Sequence, residues 1–280
     1  MNIDSLVSVN WLFQQLNNPN LIILDASPSE NKSNLIPEYT DIQIKGARIF
    51  DMEKVFVDSK SEIANMFPSS EVFERECQKL GINNNSLIVV YDNLGIYTSP
   101  RAWWMFKSMG HSNIGVLDGG FSAWKNENYP TEPKIYQNFL PGNFKATYIN
   151  SSVVSAEEIL QNISLEESLV IDARSVGRFS GNLPEPRENM ESGHIPKSIN
   201  IPFEEVLNLG KMKSKEELNI IFDTHKKGNN KLIFTCGSGI TACIILLASA
   251  ITNANSTSLF DGSWATWGQK GKYPIAKNVD

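Results

Sequence analysis

Cys236 follows an apolar β-type run, KLIFT at 231–235, and precedes the small-residue segment GSGIT at 237–241 and the apolar stretch ACIILLASAI at 242–251. This order reads as strand, turn, helix, with the cysteine in the turn at the carboxyl end of a sheet strand, where open α/β sheets bind ligands. Gly237 and Gly239 allow successive backbone N–H groups to converge on one centre, an anion nest. The helix that follows adds its positive end. Such surroundings favour a thiolate and would stabilise an anionic sulfur species formed on it, so Cys236 reads as a nucleophile. Cys77 and Cys243 lie on apolar helical faces and read as packing. Cysteine-dependent phosphoryl chemistry would need an arginine six residues after the nucleophile, and Ala242 stands there.

The rest of the chain narrows the reading. Its 280 residues are 41% hydrophobic and 20% charged, with a formal net charge of −6. That is the profile of a soluble globular protein, and without a dense Lys/Arg run it argues against nucleic acid as a partner. A small anionic substrate remains compatible with an acidic chain, because a local basic pocket is enough. The opening MNIDSLVSVNWLFQQL has no basic segment before an apolar one, so no signal peptide is expected. The longest apolar run, 243–251, is far short of the roughly 20 residues a membrane span requires. The three cysteines form no CxxC pair, and His111, His194 and His225 are scattered. Neither a disulfide framework nor a zinc site is expected, and a reducing, cytoplasmic setting without metal or organic cofactor fits best.

The chain also repeats itself. LIILDAS ending at Ser27 matches SLVIDAR ending at Arg174, and IKGARIF from Ile44 resembles IPKSINI from Ile195. LIVVYD ending at Asp92 parallels KLIFTC ending at Cys236, and VLDGGFSAW from Val116 parallels LFDGSWATW from Leu259. Four matches in the same order indicate two duplicated domains. In each half short apolar runs alternate with helical patterns. EVFERECQKLG from Glu71 places Phe73, Cys77 and Leu80 on one face, and SPRAWWMFKSMG has Pro100 near its start and Gly110 at its end. SAEEILQNI carries Ser155 and Glu158 at the spacing of a capping box. The expected fold is α/β, each domain a mostly parallel sheet flanked by helices. The expected boundaries are 1–132, a linker at 133–150 containing Pro133, Pro141 and Gly142, and 151–280.

With these motifs in hand, the sequence resembles the sulfurtransferases built from two rhodanese domains. CGSGITA at 236–242 is similar to the loop of the 3-mercaptopyruvate branch, which usually reads CGSGVTA; only Ile240 differs. The thiosulfate-preferring branch usually has basic residues after the cysteine, where this chain has Gly237 and Ser238. DARSVGRF from Asp172, EPR at 185–187, GHIP from Gly193, FDGSWATW from Phe260 and, in the first half, GIYTSPRAWWMF and LDGGFSAW extend the resemblance over nearly the whole chain. It implies a Cys236 persulfide formed from 3-mercaptopyruvate and passed to a thiol, thioredoxin or cyanide, without a cofactor. It implies substrate binding by Arg178 and Arg187, whose planar guanidinium forks suit a carboxylate and a keto oxygen. The Gly237–Thr241 backbone would hold the reacting sulfur, and Ser238 and Thr241 would offer hydroxyls.

The counterpart of Cys236 in the first domain is Asp92, which cannot carry sulfane sulfur, so that domain is expected to be catalytically inactive. Tyr97 matches a position that lines the family's interdomain cleft. The resemblance breaks at two positions. Glu53 stands where an aspartate is usual and Asn65 where a histidine is usual, and the family's pair is thought to relay a proton with the loop serine. Asparagine cannot exchange a proton near neutral pH. Two other activities fit the same features: a thiosulfate sulfurtransferase, and a non-catalytic persulfide carrier or binding module.

Overall fold

The computed structural model describes residues 3–29, 35–225, 231–253 and 256–278. It divides into two compact units. Unit 1 comprises Met1–Ser59, Phe67–Ile149 and Leu209–Met212; unit 2 comprises Lys60–Met66, Asn150–Asn208 and Lys213–Asp280.

In unit 1 the strands are β1 (Leu6–Val7), β2 (Leu21–Asp25), β3 (Ile42–Ile44), β4 (Arg48–Ile49), β5 (Leu87–Tyr91), β6 (Ile114–Leu117) and β7 (Thr131–Pro133). The helices are α1 (Val9–Gln15), α2 (Ser70–Lys79), α3 (Ser99–Ser108) and α4 (Gly120–Asn126). Five of the strands form a parallel sheet in the order β1-β6-β5-β2-β4, and β3 pairs with β7 antiparallel. Strands β5 and β6 are almost continuously apolar and buried, as a sheet covered by helices requires. Ser69 caps α2 by accepting from the Val72 amide, and Phe73 and Cys77 turn inward from it. Burial pushes the Cys77 thiol up, and the Glu76 charge adds to this, so Cys77 is packing. Phe73 joins Phe50, Phe56, Phe106 and Phe144 in an aromatic cluster. A phenylalanine buried this fully is worth about 2–3 kcal/mol. The stretch 133–149 has little regular structure but runs along this unit. Phe144 is buried, and the amides of Gly142 and Phe144 donate to the carbonyls of Gln78 and Ile82. A Cβ at Gly142 would lie 2.0 Å from the Ile82 oxygen, so only glycine fits there.

Unit 2 is built the same way. Its strands are β8 (Ser168–Asp172), β9 (Ile199–Asn200), β12 (Lys231–Thr235) and β13 (Thr257–Leu259), in the parallel order β13-β12-β8-β9. The short strand β10 (Leu207–Asn208) also lies in unit 2, whereas β11 (Lys211–Met212) falls in unit 1. The helices are α5 (Ala156–Leu165), α6 (Val176–Ser180), α7 (Lys215–His225), α8 (Ala242–Ile251) and α9 (Ser263–Trp267). The capping box expected at Ser155 and Glu158 forms: the serine hydroxyl accepts from the Glu158 amide and the glutamate accepts from the Ser155 amide. Helix α8 is apolar all round and packs on β12 and β13, so Ala242 through Ser249 are all buried, Cys243 among them.

Strand register makes the duplication concrete. Asp25 pairs with Tyr91 and Ile49 in unit 1, and Asp172 pairs with Thr235 and Asn200 in unit 2. Asp92 and Cys236, each the next residue after the central strand, therefore occupy equivalent places. The surrounding bonds agree. The Phe121 amide donates to the Asp92 carbonyl at 3.0 Å, and the Trp264 amide to the Cys236 carbonyl at 2.9 Å.

Candidate active site

Strand β12 delivers Cys236 to the carboxyl edge of the sheet of unit 2, and α8 begins at Ala242, so residues 236–241 form the connecting loop. Cys236 is only 2% exposed. Both peptide groups that flank its Cα are fixed: its N–H donates to Ser263 Oγ at 3.1 Å, and its carbonyl accepts from the Trp264 amide. Gly239 takes a φ of +78°, the left-handed region that glycine enters freely. The amides of Gly237, Ser238, Ile240 and Thr241 donate to no protein acceptor among the described residues.

Unit 1 shows what such a loop does with an anion. Its loop runs from Asp92 to Thr98 before α3 begins at Ser99, one residue longer than its counterpart. There the Asp92 carboxylate, fully buried, takes the donors itself. Oδ2 accepts from the amides of Tyr97, Thr98 and Ser99 and from Ser99 Oγ, at 2.6–3.0 Å, and Oδ1 accepts from the Leu94 amide at 2.9 Å. Burial pushes this carboxyl up, and the hydrogen bonds pull it back without cancelling the effect. The side chain therefore occupies the nest itself. Tyr97 contributes its backbone amide to this arrangement.

Two arginines converge on the cysteine loop. A Cβ placed on Gly237 would lie 3.2 Å from Arg178 Nη2 and 3.8 Å from Arg187 Nη1. Arg187 Nη1 donates to the Gly237 carbonyl at 3.1 Å, an oxygen that also accepts from the Ala265 amide. Arg178, with its side chain 26% exposed, is gripped by Glu185: Nε and Nη2 reach the carboxylate at 3.1 and 2.6 Å. Glu185 also receives Arg174 Nη1 at 2.9 Å. Arg174 is buried, forks onto Asp172, and lies over the Trp264 ring at 4.1 Å. Burial works against its charge, but Asp172 and Glu185 outweigh burial and hold the guanidinium above its ordinary value. The result is a chain, Asp172–Arg174–Glu185–Arg178, that anchors one of the two arginines beside the cysteine loop to the core.

Ser238 Oγ accepts from Asn65 Nδ2 at 3.2 Å, and Asn65 lies in the 60–66 segment that belongs to unit 2. Asn65 has a φ of +65°, which asparagine tolerates better than most residues. Glu53 belongs to unit 1, where its carboxylate accepts from the Ser29 amide and hydroxyl. The structure thus brings together Cys236, Gly237, Ser238, Arg178, Arg187 and Asn65. The Glu53 carboxylate and the Tyr97 amide each make hydrogen bonds within unit 1. Sequence reasoning assigned no role to Arg174, Glu185 or Ser263. Two of the three signals were present: the acidic residue inside EPR, and the change from DGG in the first repeat to DGS in the second. No group of three or more His, Cys, Asp or Glu side chains among the described residues is arranged to hold a metal ion. No helix among them is long and apolar enough to cross a membrane.

Two parallel-sheet domains of one pattern, one of them with a cysteine loop at its strand edge, define a rhodanese-type protein. The Rhodanese-like domain family matches residues 8–127 and 155–270, and the chain belongs to that family. It is 38% identical over 275 residues to a 3-mercaptopyruvate sulfurtransferase of Mus musculus, covering 94% of this chain and 91% of that one. It is equally similar, 38% over 275 residues with the same coverage, to a thiosulfate sulfurtransferase of Rattus norvegicus. Among solved structures it resembles SseA from Escherichia coli, described with the 3-mercaptopyruvate sulfotransferases, with a TM-score of 0.81 and 31% identity over 94% of this chain and 99% of that one.

Proposed function

We propose that this enzyme moves sulfur from 3-mercaptopyruvate through a persulfide on Cys236. The observation that carries this reading is the convergence of Arg178 and Arg187 on Gly237, one residue beyond Cys236. A 2-keto acid offers a carboxylate and a keto oxygen, and two guanidinium forks bind such a pair with fixed orientation. That orientation puts the C3 sulfur toward the cysteine loop.

The Cys236 thiolate attacks the substrate sulfur, and the S–S bond forms as the C–S bond breaks. The electron pair of that bond goes to carbon and leaves as the enolate of pyruvate. The proton from the substrate thiol ends on that carbon, giving pyruvate and an enzyme persulfide anion. The unspent amides of the loop stabilise this anion between half-reactions. An acceptor thiolate then attacks the terminal sulfur and restores Cys236; a small thiol, reduced thioredoxin or cyanide would each serve. Ser238, which accepts from Asn65, keeps its own hydroxyl proton to offer the enolate. Domain one, with Asp92 in its nest and Ser27 where unit 2 has Arg174, is catalytically inactive in this reading.

Thiosulfate is the competing donor, and the relatives include both activities. The crowding at Gly237 favours mercaptopyruvate, because a basic side chain after the cysteine would push against both guanidiniums. Intact mass spectrometry after mixing with 3-mercaptopyruvate tests the reading. The protein should gain one sulfur atom and Cys236→Ser should gain none; wild type that gains none defeats it. A higher kcat/KM for thiosulfate, with cyanide as acceptor, would reverse the choice of donor.

A further inference from the structure

We infer that Ser263 is a positioning residue that holds the Cys236 loop in its reactive shape, a role that rests on the persulfide reading above. Ser263 is fully buried and has a φ of +48°. An L-residue with a Cβ pays for that conformation in strain, and glycine would not. The chain holds its own comparison. The equivalent residue of unit 1 is Gly120, with a φ of +56°. The duplicated turn thus uses glycine where nothing is catalysed and a strained serine beside the nucleophile.

The serine does two things there. Its Oγ accepts the Cys236 N–H at 3.1 Å and donates to the Phe260 carbonyl at 2.9 Å, so the hydroxyl is satisfied in both directions. With the next residue, Trp264, binding the Cys236 carbonyl, the backbone on both sides of the nucleophile is clamped by two consecutive residues. Its Cβ also occupies space. In unit 1 the loop settles onto Gly120: a Cβ there would lie 2.3 Å from the Gly95 oxygen and 2.4 Å from the Asp92 oxygen. No loop could take that path over Ser263. The side chain keeps the cysteine loop off the turn beneath it, in a shape unlike the collapsed one around Asp92. Strain retained at such a site fits a geometry required by function rather than by folding.

The test compares Ser263→Gly with Ser263→Ala. Glycine relieves the strain but also removes the acceptor of the Cys236 amide, so the two effects oppose and Ser263→Gly should fold and melt close to the wild-type temperature. Its kcat with 3-mercaptopyruvate should nevertheless fall by about 100-fold, the scale expected for a misplaced reacting group. KM should change little, since Arg178 and Arg187 are untouched. Ser263→Ala loses the same acceptor but keeps the Cβ and its strained φ, so it should be less stable than Ser263→Gly yet retain more activity. The rate at which iodoacetamide alkylates Cys236 should differ at least about tenfold between wild type and Ser263→Gly. A Ser263→Gly protein with wild-type kcat and alkylation rate overturns the inference, as does loss of activity only in proportion to loss of fold. If wild type gained no sulfur from 3-mercaptopyruvate, the donor assignment would fall, while the alkylation comparison would still decide the role of Ser263.

Discussion

Glu185 grips Arg178 through two of its guanidinium nitrogens, at 3.1 and 2.6 Å, while the same carboxylate meets the buried Arg174 at 2.9 Å. One acidic side chain thus ties a mobile type of residue to a fixed one. Glu185→Gln keeps the shape and removes the charge. KM for 3-mercaptopyruvate should rise about tenfold, with a smaller change in kcat, because Arg178 loses its aim before the chemistry loses its nucleophile. Stability should fall by about 1–3 kcal/mol, since Arg174 keeps only Asp172 as a buried counter-charge. Steady-state kinetics and urea unfolding check both, and an unchanged KM would detach Glu185 from substrate binding.

Gly237 sets the room that the two arginines share. Gly237→Ala puts a methyl 3.2 Å from Arg178 Nη2, tighter than an ordinary contact. A several-fold rise in KM for 3-mercaptopyruvate is expected, with the fold intact by circular dichroism.

Asn65 bonds to Ser238 but cannot pass a proton. Asn65→His places a titrating group on the same hydroxyl, and histidine is among the residues that tolerate positive φ. A faster kcat or a displaced limb in the pH–rate curve is expected. Identical rate and shape would show that proton handling bypasses this residue.

Asp92 should be structural. Asp92→Ala strands the amides of Leu94, Tyr97, Thr98 and Ser99 in a buried place, at a cost of about 2–4 kcal/mol measured by denaturant unfolding. In the double variant Asp92→Cys with Cys236→Ser, no sulfur should be gained from 3-mercaptopyruvate. A cysteine in that nest lacks Arg178 and Arg187, the arginines proposed to present the donor.

His111 gives unit 1 an acid sensitivity. Burial holds its imidazole below the ordinary value, while its Nε2–H donates to the Ser86 carbonyl and the ring packs on Phe106 and Phe144. A depressed folded value means that the unfolded chain takes up the proton first. Stability is therefore lost as pH falls through about 6.5, the unfolded value. Unfolding free energies measured between about pH 7.5 and 5.5 should decline, and His111→Asn should flatten the decline.

Much of this was legible beforehand. Strand–cysteine–glycine–helix order placed Cys236 in a loop at the sheet edge because backbone geometry there is local, and the alternation of apolar runs identified the parallel sheets. The capping box at Ser155 and the packing roles of Cys77 and Cys243 followed from helical spacing. What escaped was three-dimensional. Glu185 bridges Arg174 and Arg178 only after α6 and its loop have folded back. The capture of four amides by Asp92 depends on where a carboxylate points, and a residue type alone does not say that. Ser263 becomes informative only when its φ is known, since a serine in a turn is otherwise unremarkable.

The makeup of the two units carries a consequence for how this protein can be divided. Residues 60–66 belong to the C-terminal unit, and residues 209–212 belong to the N-terminal one. A duplicated gene would ordinarily leave halves that can be cut apart at their junction. Here a cut near residue 150 would strip Asn65 from Ser238 and deprive the Asp118 carboxylate of the Met212 amide. The repeat is visible in the sequence as two modules, but each has borrowed a piece of the other's stretch of chain. The unit of inheritance and the unit of folding no longer coincide.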